Sequence, residues 1–150
     1  MKAWLQRVTE ASVEVGGELV AEIGAGYLVL LGVTHTDTER DADAMAERIV
    51  NLRVFEDEAR KMNMSIVDAG GSVIVVSQFT LYADTSHGRR PGFSGAARPE
   101  LAEPLYERVA ARLREMLGEG RVGTGRFGAD MKVRLVNDGP CSFELREGAG

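Results

Sequence analysis

Two apolar runs set the tightest limits on what this chain can fold into. Tyr27-Leu28-Val29-Leu30-Leu31 and Val73-Ile74-Val75-Val76 offer no polar side chain to solvent, so each predicts a strand buried on both faces. The second run turns polar abruptly at Ser77-Gln78-Phe79-Thr80-Leu81. A hydroxyl, an amide, an aromatic ring and a second hydroxyl at the end of a buried strand put donors, acceptors and a stacking surface on a rigid support. Every strand must end in polar residues, however, so this stretch is a candidate site only if other segments converge on it.

The 150 residues suit one domain, 1–150, and no repeat or linker divides them. A single cysteine rules out an internal disulfide, and with no basic, apolar leader it predicts a cytoplasmic setting. No apolar run approaches the roughly 20 residues of a membrane span. The net charge of −5 argues against binding along a duplex such as DNA, which rewards many cationic contacts. A small local nucleic-acid contact remains compatible with it.

Lys2 to Val15 reads as a strand, Gly16-Gly17 as a tight turn and Glu18 to Ile23 as the returning strand. Arg7, set among apolar neighbours, has two readings: a snorkelling edge residue, or a planar fork bracing a polar loop. A helix start at Asp37 or Thr38 precedes the stripe Ala42, Met45, Ala46, Ile49 and Val50. Leu52 to Phe55 reads as a short strand and Glu56 to Asn63 as a charged loop. Asp84 to Ala97 has the composition of a substrate-rim loop. Pro99 opens a second amphipathic helix that Gly118 stops. Met131-Val133-Leu135 and Cys141-Phe143-Leu145 alternate as two further strands, with Asn137-Asp138-Gly139-Pro140 between them. Strands and two main helices together place the chain in the α/β class.

Gly123-Thr124-Gly125-Arg126-Phe127-Gly128 matches the dinucleotide fingerprint in letters only, because it follows a helix and leads into a strand. It reads as a glycine-rich loop. Neither histidine stands at metal-ligand spacing, and Cys141 reads as a small buried hydrophobe before it reads as a nucleophile. Thr80 lacks an adjacent base to activate it, so a hydrogen-bonding role outranks a covalent one.

Several ordered motifs then combine: Ser77 to Asp84, Gly88-Arg89-Arg90-Pro91 with Phe93 and Ala96-Ala97, Gly125 to Met131, and Asn137-Asp138-Gly139-Pro140. Together they resemble the D-aminoacyl-tRNA deacylase family, and the likeness runs from Met1, through Gln6-Arg7-Val8, to about Leu145. The resemblance implies a single α/β domain of two mixed, barrel-like β-sheets with a layer of two main helices. It implies a homodimeric hydrolase that cleaves the ester of D-aminoacyl-tRNA, and of mischarged glycyl-tRNA, with no metal or other cofactor.

By the same resemblance Ser77, Gln78 and Thr80 are the catalytic positions, and Phe79 stacks on the terminal adenine. Ala96, Ala97 and Met131 bind substrate together with Gly139-Pro140, a cis pair reaching in from the partner subunit. Arg7 supports that pair. Catalysis is expected to use the tRNA's own 2′-hydroxyl, and Arg89, Arg90 and Lys132 are the expected phosphate contacts. Cys141-Ser142 stands where the family usually has Val-Thr, a departure expected to change packing only slightly. A related subgroup is thought to hold the Gly-Pro pair in trans, and the Ser77 to Thr80 motif favours the D-specific branch. The alternative is a non-catalytic module that binds the tRNA acceptor end or a nucleotide.

Overall fold

The computed structural model describes all residues, Met1–Gly150. Strand β1 (Lys2–Val15) turns at Gly16 and Gly17, both at positive φ, into β2 (Glu18–Ile23), and β3 (Gly26–Gly32) follows. Helix α1 (Glu39–Asn51), a small hairpin of β4 (Phe55–Glu56) and β5 (Met62–Met64), and the single-turn α2 (Ile66–Ala69) lead to β6 (Ser72–Ser77). Helix α3 (Pro99–Leu117), β7 (Val122–Thr124) and the long β8 (Lys132–Arg146) complete the chain.

Strand β1 organises a mixed, barrel-like sheet. One of its edges pairs antiparallel with β3 over Lys2 to Val8 and with β2 over Ala11 to Val15. The other edge carries β8 from Lys2 to Glu14. Strand β6 lies parallel to β3, and β7 parallel to β6.

The two apolar runs are buried as expected, and their alternation splits them between two cores. Tyr27, Val29 and Leu31 of β3 and Val73 and Val75 of β6 pack with Met45, Ile49, Val109 and Leu113 of the helices. Leu28, Ile74 and Val76 point the other way, into a smaller cluster with Val8, Ala11 and Val13. Strand β1 serves both, since Ala3 and Leu5 belong to the helical side and the residues from Val8 onward to the other. The change of face falls where the β1–β8 register shifts, at Gln6/Val8 and again at Val8/Glu10.

Helix α1 buries the expected stripe, and Thr38 caps it in a reciprocal box with Asp41. Asp43 takes a two-pronged contact from Arg108 of α3 at 2.8 and 2.9 Å. Other local readings need correction. Leu52 caps α1 and only Phe55 of Leu52–Phe55 is extended in a strand, because pairing with Met64 and not local propensity sets that hairpin. Its second strand also takes Met62 and Asn63 out of the expected loop. The glycine-rich loop begins as β7, and no helix follows it. The two strands expected after Met131 are one continuous β8, with Gly139-Pro140 inside it as a bulge.

Asp37 is the buried polar hub of this architecture. Its carboxylate accepts from the Met1 α-ammonium at 2.7 Å and from the Thr34 N–H at 2.8 Å, and the ion pair is wholly shielded from solvent. Removing one partner of a buried pair strands the other. Asp37→Ala is therefore expected to lower stability by about 3–5 kcal/mol, read as a lower urea midpoint at unchanged slope.

Candidate active site

Strand β6 ends at Ser77, opposite Leu31 of β3, and the Gln78 N–H donates to the Leu31 carbonyl at 2.8 Å. The chain then coils into a 3₁₀ turn, Phe79–Tyr82, that lies on the end of β3. Gly32 permits that approach, since a Cβ there would stand 3.0 Å from Leu81 Cβ and 3.1 Å from the Gln78 carbonyl. Lys2 of β1 braces the same turn, donating to the Leu81 carbonyl at 3.3 Å with its ammonium 4.6 Å from the centre of the Tyr82 ring.

The facing wall is the segment Gly95-Ala96-Ala97. The Ala97 N–H donates to the Val33 carbonyl at 2.9 Å, and the Thr34 hydroxyl to the Gly95 carbonyl at 2.6 Å. Between the walls lies a cavity of about 600 Å³. Ser77, Gln78, Phe79, Ala96, Ala97 and Met131 all line it. Thr80 sits just outside, its hydroxyl accepting from the Gln78 amide. A larger, more open groove of about 940 Å³ runs over Ser12, Glu22 and Arg134, but it has no aromatic lining.

Phe79 is 54% exposed and Phe93 41%, with ring centres 5.1 Å apart and the planes at 71°. They form an edge-to-face pair with open ring surface. The cavity lining contains no His, Cys, Asp, Glu, Lys or Tyr, and Arg98 is its one charged residue. Groups near the site are also unsuited to act as bases. Burial pushes the Tyr82 phenol well up, which keeps it protonated. Hydrogen bonds from Ser86 hold the Asp84 carboxyl low, and His35, tied through Nε2 to the Ser94 carbonyl at 2.6 Å, lies outside the cavity lining. Polar capacity therefore comes from the Ser77 hydroxyl, the Gln78 amide and backbone. Bonding within the 3₁₀ turn starts at Leu81, whose N–H donates to Gln78, so the N–H groups of Phe79 and Thr80 precede it unpaired within the turn.

Gly139, Pro140 and Arg7 do not line this cavity. They meet at the bulge of β8. In the ladder Gln6 faces Ser142 and Val8 faces Asn137, so residues 138 to 141 all stand against Arg7. Arg7 is 5% exposed, and its fork donates to the Asp138 carbonyl at 3.1 Å and the Val54 carbonyl at 2.6 Å. Asn137 closes the loop, accepting from the Cys141 N–H at 2.7 Å and donating to the Ser142 hydroxyl at 3.1 Å. Gly139-Pro140 is cis, with Gly139 at φ +138°. A Cβ on Gly139 would stand 2.6 Å from Cys141 Sγ and 3.0 Å from the Cys141 nitrogen. Both Gly139 and Pro140 are exposed at the surface.

The geometry can be set against known proteins. A family model described as D-Tyr-tRNA(Tyr) deacylase matches residues 4–146. The chain belongs to that family. Relatives named D-aminoacyl-tRNA deacylase include one from Symbiobacterium thermophilum, 61% identical over 95% of this chain and 93% of its own. Another, from Marinobacter nauticus, is 56% identical over 99% of this chain and 95% of its own. A solved structure described as c-Myc DNA Unwinding Element Binding Protein superposes with a TM-score of 0.94 at 43% identity, covering 99% of this chain and 100% of that one. A probable eukaryotic D-amino acid tRNA deacylase shares the fold, with a TM-score of 0.83 at 18% identity over 96% of this chain and 98% of its own. Deacylases of this family are hydrolases.

Sequence reasoning missed several lining residues, Val33, Arg98, Ala102 and Phe127 among them. Ala102 falls within the amphipathic helix that Pro99 opens, and Phe127 lies in the motif Gly125 to Met131. Phe93 was within reach, since it lies in a motif already singled out.

The Arg7 fork yields a test. A lysine keeps the charge but cannot reach two carbonyls in fixed directions, so Arg7→Lys is expected to cost about 1.5–3 kcal/mol in urea unfolding. An unchanged midpoint would show that the fork is dispensable.

Proposed function

We propose that this chain is a cytoplasmic, homodimeric D-aminoacyl-tRNA deacylase that frees D-amino acids, and glycine, from the 3′ end of tRNA. Family membership supports the reaction class, and the observation that carries the mechanism is a cavity with an aromatic shelf, a single cation at Arg98 and no base. In this reading the terminal adenine stacks on Phe79, a contact worth about 1–3 kcal/mol. The aminoacyl ester then lies along Ser77 and Gln78, and the N–H groups of Phe79 and Thr80 receive the developing oxyanion.

With no protein base in the lining, the ribose 2′-hydroxyl beside the ester activates the water. Water oxygen bonds to the carbonyl carbon, the bond from that carbon to the ribose oxygen breaks, and the ribose oxygen leaves with the proton. The products are the free amino acid and tRNA. Thr80 holds the Gln78 amide and does not attack.

Chiral rejection is assigned to the Gly139-Pro140 bulge of one protomer entering the cavity of its partner. Its exposure, its distance from its own chain's cavity and its tethering by Arg7 and Asn137 support this role. Rejecting L-esters about 10⁴-fold takes roughly 5.5 kcal/mol, against about 1–3 kcal/mol for one methylene contact. Rigid backbone that clashes with an L side chain can exceed the latter figure, and glycine, having no side chain, passes. The solved relative described as a DNA-element binding protein keeps a second reading in view, a non-catalytic nucleic-acid module, though the net charge of −5 weighs against duplex binding.

A paired assay separates the two. D-tyrosyl-tRNA should be hydrolysed with L-tyrosyl-tRNA left intact, whereas a binding module leaves both esters alone and equal decay of both removes D-specificity. Thr80→Ala should keep substantial activity, and a tRNA ending in 2′-deoxyadenosine should lose nearly all turnover. The opposite pair of results would assign the attack to Thr80. Cys141→Val, which removes the thiol and keeps a small apolar group, should leave turnover in place.

A further inference from the structure

We propose that Arg98 binds the phosphate joining the substrate's terminal nucleotide to the one before it. The inference rests on the deacylase reading. Arg98 is the one charged residue lining the cavity, among walls that are otherwise apolar or neutral. Its side chain is exposed and has no ion-pair or hydrogen-bond partner. Three cations that adjoin lining residues in sequence are paired, Lys132 with Asp130 at 3.2 Å, Arg126 with Glu18 at 3.0 Å and Arg134 with Glu14 at 2.9 Å, while Arg89 and Arg90 are exposed and do not line the cavity.

The backbone that carries Arg98 is fixed. Ala97 before it is buried and bonded to Val33, Pro99 after it starts α3, and the Arg98 carbonyl accepts from Leu101 at 3.0 Å and Ala102 at 2.8 Å. A free guanidinium on a rigid base, in the same wall as Ala96 and Ala97, adjoins a cavity sized for an aminoacylated nucleoside. Adenine and aminoacyl group have neutral or apolar surfaces to meet there. The anion nearest the ester is the 5′-phosphate of that nucleoside, Arg98 is the one cation in the lining that could meet it, and the planar fork suits it.

Two minimal substrates differ by that phosphate: D-tyrosyl-adenosine and the D-tyrosyl ester of the dinucleotide cytidylyl-(3′→5′)-adenosine. For Arg98→Gln, kcat/KM on the dinucleotide ester should fall about tenfold, mainly through KM, as expected for one lost charge-assisted contact. On D-tyrosyl-adenosine the variant should match wild type. Arg121→Gln, an exposed cation away from the cavity, should change neither. On D-tyrosyl-tRNA the slope of log kcat/KM against log salt should shrink by about 0.7 in Arg98→Gln, one single-strand phosphate contact. Equal losses on both minimal esters would mean that Arg98 shapes the pocket itself, and no loss on the dinucleotide would mean that it touches no phosphate. Either result overturns the proposal. A wild-type protein that hydrolyses neither minimal ester nor the tRNA overturns the deacylase reading beneath it.

Discussion

Strand β1 is shared by two halves of the sheet, and both the cavity and the Gly139-Pro140 bulge hang from it. Along one edge it aligns β3, which aligns β6 and so places Ser77 at the cavity. Along the other it aligns β8 and the Gly139-Pro140 bulge. Side chains of β1 then finish each end. Lys2 holds the Phe79–Tyr82 turn through the Leu81 carbonyl, and Arg7 holds the bulge through the Asp138 carbonyl. A register slip of one residue in β1 would exchange its two core faces and misplace both supports at once. The buried Asp37 contact matters for the same reason, since it ties Met1, at the start of β1, to Thr34, which bonds the facing wall at Gly95.

The charge distribution makes sense in these terms. An acidic protein that must meet an RNA end gains little from a broad cationic face, and the ion pairs on β1, β2 and β8 consume several of its cations. What remains at the cavity is a neutral, aromatic recess with one unpaired guanidinium. Such a recess offers a planar, uncharged ring a stacking surface. It holds no titratable side chain able to accept a proton.

Much of the fold was legible because it follows from alternation and spacing. The α1 stripe, the double-sided burial of β3 and β6 and the glycine turn after Val15 depend on local patterns that survive into the structure. The misreadings share a cause. Leu52–Phe55 has strand composition, but pairing decided which residues extended. Gly139-Pro140 reads as a turn, but Arg7 on the neighbouring strand absorbs the extra residues and lets β8 continue past them. The Ser77–Thr80 stretch was visible through its abrupt change of polarity and Phe127 lies within a motif singled out above, while Val33 and Arg98 reach the cavity only through tertiary approach. No local pattern marks such residues.

The bulge also shows why side-chain identity can drift at a site whose geometry must not. Its tethers end on backbone groups at Asp138 and Cys141, and the one side-chain contact across it needs only a hydroxyl at position 142. Ser142 provides that hydroxyl as threonine would. Cys141 keeps a small, half-buried group whose sulfur lies against the face of Gly139 where a Cβ would project. Glycine at 139 is the fixed element, because its φ of +138° and the crowding by Cys141 both exclude a side chain. Substitutions after the Gly-Pro pair are thus compatible with the bulge as long as these backbone tethers remain.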